Sequence, residues 1–127
     1  MIGFLLVALG GAVGAMARYG TGLAVVHHGG VEGFWATLSV NVLGSGIMGV
    51  LAAFLAGRGA GGDQALWLLV GVGFLGAFTT FSSFSKDAVE LLMDGHTARA
   101  VAYMTANLAG SVGAFAGLFA VMRGIWA

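Results

Sequence analysis

The sequence predicts an all-α integral membrane protein, a single four-helix membrane domain over residues 1–127 whose third helix is broken near its centre. Three observations carry this. Of the 127 residues, 59% are hydrophobic and only 8% are charged, too little polar surface to clothe a water-soluble domain of that size. Four apolar stretches, about 2–26, 34–56, 65–85 and 98–122, each reach the roughly 20 residues needed to cross the hydrocarbon core. The remaining linkers are short and glycine-rich, as in Gly57, Arg58, Gly59, Ala60, Gly61, Gly62 and Asp63, and leave no room for a separate soluble domain.

Span one lacks a basic leading segment and is followed by three more spans, so it reads as a retained helix rather than a signal peptide. Gly10, Gly14, Arg18 and Gly22 recur on it at intervals of four, and a small-residue face of this kind lets helix backbones approach closely in lipid. Span two carries Gly44, Gly46 and Gly49, and span four carries Gly113 and Gly117; close packing accounts for most of these positions. Trp35, Trp67 and Trp126 stand at the ends of spans two, three and four, where amphipathic indoles favour the headgroup layer.

Span three contains Gly71-Val72-Gly73-Phe74-Leu75-Gly76, a literal G-x-G-x-x-G. That string binds dinucleotides only where it joins a strand to a helix in a βαβ unit, and here it lies inside an apolar run. Its use is to loosen the helix ahead of GAFTTFSSFSK at Gly76 to Lys86, where five hydroxyl side chains and three phenylalanines crowd together. Gly76 to Thr80 is therefore the weakest helix in the chain. An opening there frees carbonyls, which is tolerated at membrane depth only where protein or a cavity satisfies them, and free carbonyls suit a small cation. The alternative is a simple kink with the Thr79 and Thr80 hydroxyls bonded back to the preceding turn.

Cysteine is absent, which excludes disulfides and thiol chemistry, and so is proline, which leaves glycine as the only helix breaker. With four crossings, Arg58 and Arg123 fall on one side of the membrane and Arg18, Lys86 and Arg99 on the other. Lysine and arginine excess in short loops sets orientation, and two against three gives little bias. The chain is expected to insert both ways and to assemble as an antiparallel, dual-topology homodimer.

Polar side chains also repeat at helical spacing. Thr37, Asn41 and Ser45 share one face of span two, and Tyr103, Asn107 and Ser111 share one face of span four. On span three, Ser82 and Ser85 are three apart, as are Phe81 and Phe84. One such stripe is sufficiently explained as interhelical hydrogen bonding; three beside a glycine-loosened, phenylalanine-rich segment indicate an ion route. The lining is rich in donors, and no Asp or Glu lies in the apolar body of any span. Phenylalanine ring edges carry the positive part of the ring quadrupole. Donors and ring edges together favour a small anion.

GGAVGAMARY at Gly10 to Tyr19, TLSVNVLGS at Thr37 to Ser45, GFLGAFTTFSSFS at Gly73 to Ser85 and the stretch from Tyr103 to Ser111 closely resemble the small bacterial fluoride channels of the Fluc or CrcB family, over essentially the whole length. The resemblance implies a multi-pass protein of the bacterial inner membrane, a dual-topology homodimer with two pores that passes fluoride passively down its gradient. It further implies that Phe81 and Phe84 contact fluoride through their ring edges and that Asn41 is a pore asparagine. Ser82, Ser83, Ser85, Tyr103, Asn107 and Ser111 correspond to parts of the polar track, Asn107 at a variable site. Arg18 corresponds to a vestibule arginine that attracts the anion. Gly76 and Thr79 correspond to the helix break whose carbonyls, from both subunits, hold a structural sodium ion. The family pattern GGFTTFSTFS reads GAFTTFSSFS here, with Ala77 for Gly and Ser83 for Thr, which preserves small size and the hydroxyl.

A proton-coupled small multidrug transporter matches in size and span number but needs a membrane-buried Glu in span one, where only Arg18 stands. A non-conducting membrane assembly protein leaves the polar stripes unexplained. An enzyme is not expected, because no nucleophile, base and orienting acid occur together. His27, His28 and His96 lack the spacing of a zinc site. Asp87, Glu90 and Asp94 read as a solvated helix end facing Lys86 and Arg99. Expected partners are fluoride, a second copy of the chain and the lipid bilayer, with no nucleic acid and no other protein.

Overall fold

The structure, a computed structural model, describes residues 1–30, 32–58 and 63–126; the linker residues Gly59, Ala60, Gly61 and Gly62 lie outside the described residues. Four helical stretches among them are long and apolar enough to cross a membrane: Ile2–His27, Phe34–Ala56, Gln64–Met93 and Thr97–Trp126. Helix α1 (Ile2–Gly29) ends on Gly30, whose φ of 58° is the left-handed conformation in which glycine stops a helix without strain. Helix α2 is Phe34–Ala56. The third crossing comprises α3 (64–78) and α4 (Phe81–Met93), and α5 is Thr97–Trp126. Helix α4 runs on past Ser85, where the apolar run ends, because its remaining turns bury Ala88 and Leu91 on one face.

Within α3, Trp67–Leu75 is wound as a π-helix. Such wide turns are unusual and concentrate near functional sites. Here the glycines permit the winding: the Trp67 indole lies over Gly71, so closely that a Cβ at that position would come 2.6 Å from the ring.

Helices α2 and α5 pack side by side, and α1 lies along α3. Both pairs use glycine to bring backbones together. Gly10 and Gly14 of α1 rest on the α3 backbone at Leu69 and Phe74, and Gly49 of α2 rests on the carbonyl of Phe115 in α5. A side chain at Gly14 or Gly49 would overlap that carbonyl. A Cβ added at Gly113, Gly117 or Gly22 would meet nothing within 4 Å among the described residues, so their spacing does not serve packing among these helices.

A buried cluster of Phe84, Ala88, Leu91, Ala100 and Tyr103, flanked by Phe34, Leu38 and Met104, ties α4 to α2 and α5. Elsewhere Phe4, Leu9, Val13, Met16, Val112, Val121 and Ile125 are exposed. A surface this apolar is unsuited to water and suited to lipid or another membrane helix.

Candidate functional site

The site begins where helical geometry stops. Thr79 (φ −81°, ψ 160°) and Thr80 (φ −153°, ψ 117°) are extended between α3 and α4. Extended backbone at membrane depth must find other hydrogen-bond partners, and Asn41 of α2 supplies them. Its Oδ1 accepts from the Thr80 N–H at 2.8 Å, and its Nδ2 donates to the Thr80 carbonyl at 3.0 Å. One side-chain amide thus serves Thr80 as a neighbouring strand would. In an unbroken helix the Thr80 amide bonds the Gly76 carbonyl; turned toward Asn41, it leaves that oxygen without its helical donor. Gly76 itself keeps helical dihedrals. Thr79 closes α3 by donating both its amide and its hydroxyl to the Leu75 carbonyl, while the Thr80 hydroxyl accepts from the Ser83 amide at 3.1 Å and caps α4.

The second Nδ2 hydrogen of Asn41 goes to Asn107 Oδ1 at 2.9 Å. Asn107 is 4% exposed, and its own Nδ2 is buried with no hydrogen-bond partner among the described residues. Such an orphan donor is costly, of order 1–3 kcal/mol, and in a native structure calls for an explanation. Asn107 lines a cavity of about 220 Å³ together with Ser45, Thr79, Phe81, Phe84 and Ser111. A second cavity, about 400 Å³, is lined by Arg18, Tyr19, Gly22, Thr37, Thr80 and Ser83. The two share Thr80, which stands between them at the interruption.

Residues 5–122 match the family model described as CrcB-like protein, Camphor Resistance (CrcB). The chain belongs to the CrcB-like family. Among its relatives is a protein of Hyphomonas neptunium named fluoride-specific ion channel FluC, 43% identical over 126 residues, which cover 99% of this chain and 94% of the relative. Proteins of the same name from Rhizobium meliloti and Novosphingobium aromaticivorans are 46% and 44% identical, each match covering 94% of both chains. With this membership and four helices able to cross a bilayer, the chain is a multi-pass membrane protein.

Within this CrcB-like chain the two phenylalanines occupy unlike positions. Phe84 is buried against Tyr103, with ring centroids 5.6 Å apart, whereas Phe81 is 72% exposed on the surface of the chain. Their rings are 5.3 Å apart at 50°. The serines also differ. Ser85 donates back to the Phe81 carbonyl at 2.9 Å, Ser83 accepts from the Thr80 hydroxyl at 3.1 Å, and the exposed Ser82 lies 3.2 Å from the same hydroxyl. Arg18 has no ion-pair partner among the described residues.

Tyr103 leads to a residue that the sequence reading misplaced. Its hydroxyl donates to Asp87 Oδ2 at 3.1 Å, and Thr37 donates to the same oxygen at 2.7 Å. Asp87 is therefore no part of a solvated helix end: its side chain is 15% exposed and joins three helices. The signal was present, since Thr80, Ser83 and Asp87 follow at three and four residues and so share a face of α4. Counting the apolar run as ended at Ser85 hid it. Lys86 pairs with Glu90 at 2.7 Å and lies 4.0 Å from Asp87 Oδ1. Arg99 pairs with Glu32, not with the α4 acids.

Proposed function

We propose that this chain is a passive fluoride channel, not an enzyme, and that it works as an antiparallel, dual-topology homodimer with two pores in the bacterial inner membrane. The observation that carries the reading is the cavity walled by Phe81, Phe84, Ser111 and Asn107, a lining of ring edges, hydroxyl and amide beside an asparagine whose buried Nδ2 has no hydrogen-bond partner among the described residues. Fluoride is the smallest halide and a strong hydrogen-bond acceptor, so an amide N–H, a hydroxyl and ring edges can replace its water while crowding out chloride. The name that the relatives carry, fluoride-specific ion channel, supports the same ion.

The conduction path follows from the chemistry of the lining. Arg18, free of an ion pair among the described residues, raises the local anion concentration in the larger cavity. Thr37 and Ser83 line that larger cavity, Ser82 lies beside the hydroxyl of Thr80, the residue both cavities share, and Asn107, Ser111, Phe81 and Phe84 line the smaller one as the narrow stage. Asn41 braces the interruption instead of binding the ion, because its donors are committed to Thr80 and Asn107. The exposure of Phe81 supports a pore wall completed by the second subunit. The family's structural sodium fits the Gly76 and Thr79 carbonyls, the first of which loses its helical donor at the interruption. Bound there, sodium would offset carbonyl repulsion between the subunits.

Fluoride efflux from liposomes, measured beside chloride, tests the reading: absent fluoride flux, or chloride flux of equal size, defeats it. Phe81→Ile and Phe84→Ile should each lower fluoride flux at least about tenfold, the loss of roughly 1.4 kcal/mol of ring-edge contact, with assembly unchanged by size-exclusion chromatography. One observation favours a second reading. Asp87 is a carboxylate on the polar track, the kind of group a proton-coupled transporter needs. Passive fluoride efflux waits for a potassium shunt such as valinomycin and needs no pH gradient. One-for-one symport of fluoride with a proton is electroneutral and proceeds without the shunt, whereas antiport against a proton is electrogenic but driven by an imposed pH gradient.

A further inference from the structure

Between the first turns of α2 and α5 lies a groove of about 240 Å³ lined by Phe34, Trp35, Leu38, Arg99, Ala102 and Ala106. Its floor is apolar, formed by the two alanines and Leu38. Its mouth sits at the level where both helices begin, and there Trp35 and Arg99 mark the headgroup layer, the indole by its amphipathic ring and the guanidinium by its reach toward water. Arg99 stacks over the Phe34 ring at 5.5 Å and pairs with Glu32. Both members of this pair are about half exposed, 48% and 58%, so the mouth presents a cation and an anion side by side. An exposed pair of this kind contributes little to stability, and a ligand that satisfies both charges replaces it at small cost.

We infer that the groove seats an ethanolamine phospholipid, with its phosphate on Arg99, its ammonium on Glu32 and the upper part of one acyl chain over Ala102 and Ala106. The charge pattern selects the headgroup. An anionic glycerol headgroup would gain Arg99 but offer the Glu32 carboxylate only neutral hydroxyls, with no positive charge to replace that of Arg99. A choline headgroup has the phosphate, but its quaternary nitrogen carries no N–H to donate. A primary ammonium donates to Glu32 while the phosphate accepts from the Arg99 fork. Tyr103 forms part of the groove wall and also packs on Phe84, so the lipid supports the outer side of the cluster that holds Phe84.

The test does not use flux and is therefore independent of the fluoride reading. With Trp67→Phe and Trp126→Phe, Trp35 becomes the sole tryptophan, and its fluorescence is followed as brominated phosphatidylethanolamine, phosphatidylcholine or phosphatidylglycerol is titrated into phosphatidylcholine bilayers. The ethanolamine lipid should quench Trp35 with a relative affinity up to about fivefold above the choline lipid, the range of one exposed charge pair. Glu32→Gln should abolish that preference, and Arg99→Gln should weaken quenching by both lipids. Equal quenching by the two, strongest quenching by phosphatidylglycerol, or a preference that survives Glu32→Gln overturns the proposal. So does the absence of quenching by every lipid, the result if a second copy covers the groove. On the unmodified protein, native mass spectrometry from micelles holding equal amounts of the two zwitterionic lipids should retain the ethanolamine form; equal retention counts against the site.

Discussion

At Asn41 and Asn107, two identical side chains carry different tasks. Asn41 has its oxygen and both amide hydrogens engaged, so its contribution is structural: it satisfies Thr80 and orients Asn107. Asn41→Leu should leave the Thr80 N–H and carbonyl unpartnered and cost about 2–4 kcal/mol, taking about 1–3 for each orphaned group with some relaxation. Unfolding titrations in detergent measure this, and stability equal to wild type would refute the bracing role. Asn107 carries the donor that has no partner among the described residues. Asn107→Leu should leave the assembly seen by size-exclusion chromatography unchanged and lower fluoride flux about ten- to a hundredfold, the range set by roughly 1.5–3 kcal/mol for a hydrogen bond to a charged group. Undiminished flux would remove Asn107 from the ion path.

At the scale of the element, one glycine repeat serves two ends. Gly10 and Gly14 bring α1 onto the backbone of α3, whereas Gly22 opens onto the larger cavity. Gly14→Ala places a methyl group against the Phe74 carbonyl, which α3 can relieve only by moving. It should cost about 1–3 kcal/mol, as overpacking does. Gly20→Ala, where an added methyl group meets nothing within 4 Å among the described residues, should stay within about 0.5 kcal/mol of wild type. Thermal melts followed by size-exclusion chromatography compare the two; equal melting temperatures would deny the close approach of α1 to α3. The interruption shows the same division of labour. Glycines in α3 permit wide winding over Trp67–Leu75, but the chain leaves helical geometry only at Thr79 and Thr80, four residues after the π-segment ends. Local weakness was readable from Gly71, Gly73 and Gly76. The position of the extended residues depends on Asn41, 39 residues away in sequence.

For the whole molecule, the near balance of arginine and lysine between the two membrane faces predicts dual insertion. A C-terminal reporter active in the cytoplasm and another active only outside it should both give signal, each above its one-sided control. Signal from one reporter alone would exclude the antiparallel homodimer. The dimer proposal draws further support from what one subunit leaves unfinished: Phe81 stands on its surface, and the small residues Gly113 and Gly117 of α5 meet nothing within it. Both are the features a second subunit would cover.

Hydropathy and composition alone determine the membrane class, the number of crossings and the polar stripes, because in lipid each helix must satisfy its own backbone and its length is set by bilayer thickness. The phenylalanine and hydroxyl segment was legible for the same reason: polar groups are conspicuous against an apolar background. Tertiary structure decided how those residues are used. Helical periodicity shows which side chains share a face but not which donor is already engaged, so Asn41 and Asn107 look equivalent until Thr80 is placed beside one of them. Asp87 looks solvent-facing until α2 and α5 bring Thr37 and Tyr103 to its carboxylate. Hydrogen-bond partners so far apart in sequence are set by helix packing, and no local pattern records them.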